Sequence, residues 1–425
     1  MQIMAALHLR SKHRTFAPTI FKYSMESAYI IDAVRTPIGK YAGTLSVVRP
    51  DDLAALVIKA ILERNPSIDP NRIEEVVLGA ANQAGEDNRN VGRMAALLAG
   101  LPVSVAGVTV NRLCASGLQA IMDASKSIMT GNGDIFIAGG VESMSRAPFV
   151  MNKSETPFDK NVKIFDTSLG WRFTNPKLAE MYHPYAMGET AENVAEKYKI
   201  SRTEQDEFAL LTQQKYEAAH AAGKFKNEII RVPVPQGKGE TIWFDKDEQP
   251  RLSPMDKLAA LKPVFRKDGT VTAANSSGLN DGAAVMLIVS GSIVKELGLK
   301  PIARVVSFAA AGVDPAYMGI GPVPATRKAL QRANLKIEDL DLIELNEAFA
   351  SQSIACIRDL GINADIINVN GGSIAIGHPL GCSGARISTT LIHEMQKREG
   401  VRYGLATMCI GVGQGAAIIY EKIQA

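Results

Sequence analysis

The order of elements in the first third of this chain recurs near its end. AYIIDAV, DLAALVIKAILERN, IEEVVLGAANQ, VTVNRLCASG and DIFIAGGVESM alternate short β-branched runs with amphipathic helical patterns. ARVVSFAAAGVD, PATRKALQRAN, LDLIELNEAFA, IINVNGG, a long helical stretch and YGLATMCIGVGQGAAIIY repeat that order at similar spacing. Such a pattern predicts α/β layers and a duplicated domain. In the alignment, AGGVES of the first copy faces MCIGVG of the second.

The copies are expected at residues 26–145 with 276–300, and at 301–425. Residues 146–275, rich in charge, Pro and Tyr, read as a mostly helical insertion over the core. Within it Ser201 and Glu204 form a capping-box pattern and Gly223 supplies the stop. An insertion of this kind is a natural carrier of a substrate surface.

Residues 1–25 carry Arg10, Lys12, Arg14 and Lys22 and no acid. Setting those four aside from the 47 basic residues leaves 43 against 44 acidic ones, so the body carries −1 and offers no argument for nucleic-acid binding. The stretch reads as a tail outside the fold, ahead of a start at Met25, with a transit peptide as the alternative. The matching locations are the cytoplasm and, for a transit peptide, the mitochondrial matrix. No apolar run approaches the roughly 18 residues that a membrane span requires.

Four cysteines, Cys114, Cys356, Cys382 and Cys409, show neither a CxxC pair nor metal-ligand spacing with histidine. Cys114 stands where an apolar run meets a helical pattern, beside the polar Asn111 and Arg112. A helix N-terminus there would favour thiolate and lower the thiol pKa, marking a nucleophile. Cys409 follows a second apolar run among glycines. Of six histidines, His8 and His13 fall in the tail, while His183, His220 and His393 read as solvated or structural. His378 differs. It lies in NGGSIAIGHPLGCSGAR, where small residues let backbone crowd a ligand, and no P-loop or dinucleotide fingerprint is present. A catalytic base beside open backbone is the expectation.

VNRLCASGLQA, GGVESMSRAP, NEAFA, GGSIAIGHPLGCSGAR and MCIGVGQG, in this order and spacing, resemble the signature segments of the thiolases, from Ala28 to Ile423. The resemblance implies a five-layer α/β/α/β/α core. It also implies reversible thiolytic cleavage of 3-oxoacyl-CoA by a ping-pong mechanism, with CoA and acyl-CoA as substrates, no further cofactor and no metal. By it, Cys114 is acylated, His378 activates Cys114, and Cys409 moves a proton at the α-carbon of the second substrate. One oxyanion hole then comes from His378 and a water held by Asn346, the other from the backbone N–H groups of Cys114 and Gly411. Asn346 has an alternative reading as a helix cap.

Family positions for CoA match Met187, Phe265, Ala273, Ser277, Ala348 and Phe349, with Arg251 or Lys257 near the nucleotide phosphates. Homodimers or homotetramers are implied as well. Ala186 stands where acetoacetyl-CoA-forming relatives usually have histidine, which favours a degradative 3-oxoacyl-CoA or 3-oxoadipyl-CoA thiolase over an acetoacetyl-CoA-forming one. Decarboxylating condensing enzymes usually place His or Asn where Cys409 stands, and a non-catalytic lipid-binding relative would lack the cysteines.

Overall fold

A computed structural model describes residues 26–424; the basic tail, with His8 and His13, lies outside the described residues. Nine strands form the spine of the large sheet: β1 (Ala28–Arg35), β2 (Glu75–Gly79), β3 (Ala106–Val110), β4 (Ile135–Ser143), β5 (Asn280–Ser290), β6 (Ala303–Gly312), β7 (Leu342–Leu345), β8 (Tyr403–Ile410) and β9 (Gln414–Lys422). Their order is β7-β8-β9-β6-β1-β5-β4-β2-β3. Val, Ile and Ala dominate the central members, as strands buried on both faces require; every residue of β4 and β5 is buried.

The duplication is written into that order. In one half β1-β5-β4-β2-β3 are neighbours; in the other β6-β9-β8-β7 follow the same sequence, with an Ile343–Ile367 bridge where β3 would lie. The halves join along β1 and β6 through Tyr29–Arg304 and Ile30–Ala303. Register also pairs individual residues. Gly79 opposes Gly140 and Leu345 opposes Thr407 in equivalent parallel ladders, so Glu142 and Cys409, each two residues further on, hold corresponding positions. Cys114 and Cys409 therefore do not correspond; the counterpart of the Cys114 junction is the segment that carries His378.

Helices complete the layers. α1 (Pro50–Arg64) and α2 (Val91–Leu98) cover the outside of the first half. α3 (Ser116–Met129) is the crossover helix after β3. The insertion holds α4 (Met187–Tyr198) and α5 (Arg202–Ala221), while α6 (Pro322–Ala333) and α7 (Ala350–Leu360) belong to the second half. α8 (Leu380–Lys397) packs with α3 between the two sheet halves, so that the central core draws apolar side chains from both copies. Two more helical layers lie outside, and the five-layer arrangement stands.

In the insertion, Ser201 and Glu204 cap α5 reciprocally, and Gly223 follows its end at φ +68°. The segment holds more than helices. Hairpins pair Phe149–Met151 with Ile164–Asp166 and Val232–Pro235 with Thr241–Phe244.

One close approach positions the site. A Cβ on Gly384 would lie 2.3 Å from the backbone nitrogen of Leu118, and one on Gly117 would lie 2.6 Å from the carbonyl oxygen of Gly381. Without side chains there, α3 and α8 meet at their first turns. The residues just before those turns, Cys114 and His378, are thereby brought to one place.

Candidate active site

Cys114 precedes α3 by two residues, in a tight turn that its polar neighbours build. Asn111 Oδ1 accepts the Leu113 N–H at 2.8 Å and its Nδ2 donates to the Ala81 carbonyl at 2.9 Å. Arg112 donates to Gln119 at 2.7 Å and across the halves to Gln414 at 3.0 Å. Leu113 takes φ +47°, and Val412, on the facing loop, takes +63°. Positive φ is costly for side chains of this kind and recurs where structure over-determines a working geometry.

Burial pushes the Cys114 thiol up to about 11, against the opposing pull of the Gly411 N–H and of its own N–H; the Glu142 charge adds to the rise. This corrects the expectation of a lowered pKa: desolvation outweighs the two N–H hydrogen bonds. At neutral pH the resting residue is a thiol.

His378 stands two residues ahead of α8. It is 5% exposed, its N–H donates to Asn280 Oδ1 at 2.8 Å, and Gly377 before it adopts φ +116°. Ser383 Oγ lies 2.6 Å from His378 Nδ1 and 2.7 Å from the Pro379 carbonyl oxygen. A carbonyl can only accept, so the single hydroxyl proton goes to Pro379 and Nδ1–H donates to Ser383. Nε2 is left with the lone pair. Burial first, and the Arg386 charge second, lower the imidazole pKa to about 3, keeping the ring neutral.

Asn346 is fully buried; its Oδ1 accepts from Ser373 at 2.6 Å and its Nδ2 lies 3.5 Å from His378 Nδ1. It caps no helix. α7 starts four residues later, behind Phe349. Glu142, unremarked as a site residue in the sequence, accepts the N–H groups of Ala81, Asn82 and Gly381 and so ties the end of β4 to the first turn of α8. Burial lifts its carboxyl to about 7. An acid inside an otherwise apolar strand was the signal available for it.

Cys409 is 1% exposed, and burial first, then the neighbouring Cys114, raise its pKa well above the ordinary thiol value. It packs in one apolar cluster with Ala348 and Phe349, against which Met187 and Phe265 lie. The Phe265 and Phe349 rings meet edge to face at 6.4 Å, and Ser277 Oγ donates to the Ala348 carbonyl at 3.1 Å.

Two cavities divide the remaining residues. One of about 380 Å³ is lined by Cys114, Glu142, Ala186, Met187 and Gly411. Another of about 330 Å³ is lined by Arg251, Lys257 and Ala273, with an Arg251 Nη2 hydrogen bond to the Ala273 carbonyl. The sequence-derived set thus separates into a group around the thiols and a cationic group lining the other cavity. Among the other histidines, His393 is buried and its Nε2 bonds the Ala33 carbonyl at 2.8 Å, while His220 stacks on Tyr216. Cys356 and Cys382 are fully buried away from these cavities.

No helix among the described residues is long and apolar enough to cross a membrane. Residues 28–292 match the family model described as "Thiolase, N-terminal domain", and residues 299–422 match "Thiolase, C-terminal domain". The chain is 54% identical over 402 residues to a beta-ketoadipyl-CoA thiolase of Acinetobacter baylyi, covering 94% of this chain and 100% of that one. Identity and coverage are the same for the 3-oxoadipyl-CoA/3-oxo-5,6-dehydrosuberyl-CoA thiolase of Escherichia coli. The crystal structure of the Bacillus anthracis acetyl-CoA acetyltransferase superposes with a TM-score of 0.88 at 42% identity, over 94% of this chain and 100% of that one. A paired-thiol site on a duplicated α/β core, matched along nearly its whole length, places the chain in the thiolase family, as an acyltransferase that reversibly cleaves 3-oxoacyl-CoA with CoA.

Proposed function

We propose that this thiolase works by a ping-pong mechanism in which Cys114 carries the acyl group and Cys409 carries the proton, on short 3-oxoacyl-CoA substrates of the 3-oxoadipyl type. The carrying observation is that Cys114, which takes the Gly411 N–H, neighbours Cys409, while the oriented His378 precedes α8, whose first turn packs on that of α3. Nε2 of His378 takes the Cys114 proton as sulfur attacks the C3 carbonyl. The C2–C3 bond breaks, its electron pair forms the enolate of acetyl-CoA, and Cys409 protonates C2. CoA then enters, loses its thiol proton to the Cys409 thiolate and attacks the acyl-Cys114 carbonyl; Cys114 leaves as thiolate and is reprotonated by His378.

Negative charge grows on a thioester oxygen in each half, and preorganised donors lower both barriers. The N–H groups of Cys114 and Gly411 serve one oxygen; His378, with a water on Asn346, serves the other. Met187, Phe265, Ala348, Phe349 and Ser277 line the pantetheine path. Arg251, Lys257 and Ala273 form the outer end, where CoA phosphates would meet positive charge. Acyl transfer between thiols changes no oxidation state, so CoA and acyl-CoA are the reactants and no cofactor enters the scheme.

Relatives named for 3-oxoadipyl-CoA, and the small Ala186 in the cavity wall, support the substrate reading. The structural likeness to an acetyl-CoA acetyltransferase supports acetoacetyl-CoA as the second reading. The enzyme acts in the cytoplasm as a homodimer or homotetramer, without nucleic-acid partners. CoA-dependent cleavage measured across acetoacetyl-, 3-oxooctanoyl-, 3-oxopalmitoyl- and 3-oxoadipyl-CoA tests the proposal: highest kcat/KM on 3-oxoadipyl-CoA supports it, and highest kcat/KM on acetoacetyl-CoA selects the second reading.

A further inference from the structure

The 380 Å³ cavity that holds Cys114 also contains a cation for which the reaction scheme has no task. Arg172 lines its wall, half-buried, and makes no ion pair or hydrogen bond with another side chain among the described residues. The acid in the same wall, Glu142, is already taken by three backbone N–H groups and sits at the Cys114 end. Asp166, at the end of the strand that precedes this loop, is exposed, accepts the Ser168 N–H at 2.8 Å and does not line the cavity.

The loop is held on several sides. Asn82 Nδ2 donates to Thr167 Oγ1 at 2.9 Å, and that hydroxyl donates to the Pro148 carbonyl at 2.6 Å. Trp171 Nε1 donates to the Tyr185 carbonyl at 3.0 Å, just ahead of α4. Phe165 and Phe173 meet edge to face at 5.0 Å, on either side of the turn at Gly170. These contacts fix the backbone on both sides of Arg172 and leave its guanidinium, a planar fork suited to a carboxylate, without a partner.

We propose that Arg172 binds the terminal carboxylate of the acyl chain carried on Cys114, and so makes the enzyme select 3-oxoacyl-CoA substrates with a carboxylate at the far end. The assignment rests on the substrate reading above and adds the residue that enforces it. A carboxylate entering a largely apolar pocket loses hydration that only a matched cation restores. A methyl-terminated chain offers Arg172 nothing, so discrimination comes from the charged pair and not from chain length.

The test compares kcat/KM for 3-oxoadipyl-CoA with that for 3-oxohexanoyl-CoA, its uncharged counterpart of equal chain length, in the wild-type enzyme, Arg172→Met and Arg172→Lys. The expected result is a wild-type preference for 3-oxoadipyl-CoA that Arg172→Met reduces by roughly 10- to 100-fold, the worth of a charged hydrogen-bonded pair, with 3-oxohexanoyl-CoA cleavage unchanged. Arg172→Lys keeps the charge without the fork and falls between them. Retained cleavage of the uncharged substrate shows that the variants are folded.

An equal loss on both substrates would overturn the assignment, because a contact with CoA or a structural role predicts that pattern. So would a wild-type preference that survives Arg172→Met, which leaves the substrate reading intact. A wild-type enzyme with no preference for 3-oxoadipyl-CoA would instead remove the substrate reading, and this assignment with it.

Discussion

Ser383 Oγ sits 2.6 Å from Nδ1 of His378 and sets the imidazole tautomer, because its own proton is committed to the Pro379 carbonyl at 2.7 Å. With Nδ1 donating, Nε2 is free to accept from a thiol. Replacing Ser383 by Ala removes that constraint, and Nδ1 loses its acceptor in a buried site. The expected outcome is a drop of roughly 10- to 100-fold in the rate of Cys114 acylation, with KM for CoA nearly unchanged. Pre-steady-state acylation kinetics measure it; a Ser383→Thr variant, which keeps the hydroxyl, should recover most of the rate.

Cys114 and His378 make opposite claims about pH. The thiol pKa of about 11 means that thiolate rises about tenfold per pH unit through the neutral range, so alkylation of the free enzyme by iodoacetamide should accelerate steadily from pH 7 to 10. A plateau near pH 8 would show a thiolate already formed.

The folded pKa of His378, about 3, lies below its ordinary value of 6.5. Such a group contributes stability that is present above the unfolded value and is lost as pH falls through the window from 6.5 toward 3. His378→Gln should therefore lose less stability than wild type between pH 7 and pH 4, as read by denaturant melts at each pH.

Gly377 holds φ +116°, and a Cβ there would stand 2.7 Å from the Asn280 side chain that receives the His378 N–H. Gly377→Ala is expected to cost roughly 1–3 kcal/mol of stability and to reduce kcat more than its stability loss explains, since His378 must shift. Thermal melts and kcat measured on the same preparation separate the two effects.

Cys356 and Cys382 supply internal controls. The Cys356 thiol donates to the Gly319 carbonyl at 3.2 Å, a role serine can fill, and Cys382 lies in the first turn of α8 inside the central core. Both Ser variants should keep full turnover. Cys382→Ser, which buries a hydroxyl in apolar surroundings, should lose about 1–3 kcal/mol of stability in denaturant titration.

Much of this site could be read from local pattern. Apolar runs ending in small residues marked Cys114 and Cys409, and a glycine-rich loop marked His378. The duplication read in the sequence reappears in the strand order. What escaped was non-local. Glu142 matters because its carboxylate meets the Gly381 N–H, 239 positions away, and Asn280 because it meets His378, 98 positions away. Ser383 lay within the glycine-rich segment, but its bearing on the histidine tautomer depends on how the first turn of α8 folds back. The Cys114 pKa went the other way from its helix-start expectation because burial, a property of the packed molecule, outweighs the N–H groups that favour the thiolate. Arg251, Lys257 and Ala273 proved to line a cavity separate from that of the nucleophile.

The division of labour between Cys114 and Cys409 is tested most directly by incubating wild type, Cys114→Ala and Cys409→Ala with acetyl-CoA and measuring the intact mass and the modified peptide. An acyl adduct is expected on Cys114 in wild type and in Cys409→Ala, with none in Cys114→Ala and no condensation by Cys409→Ala. An adduct on Cys409, or loss of acylation in Cys409→Ala as complete as in Cys114→Ala, would contradict that division.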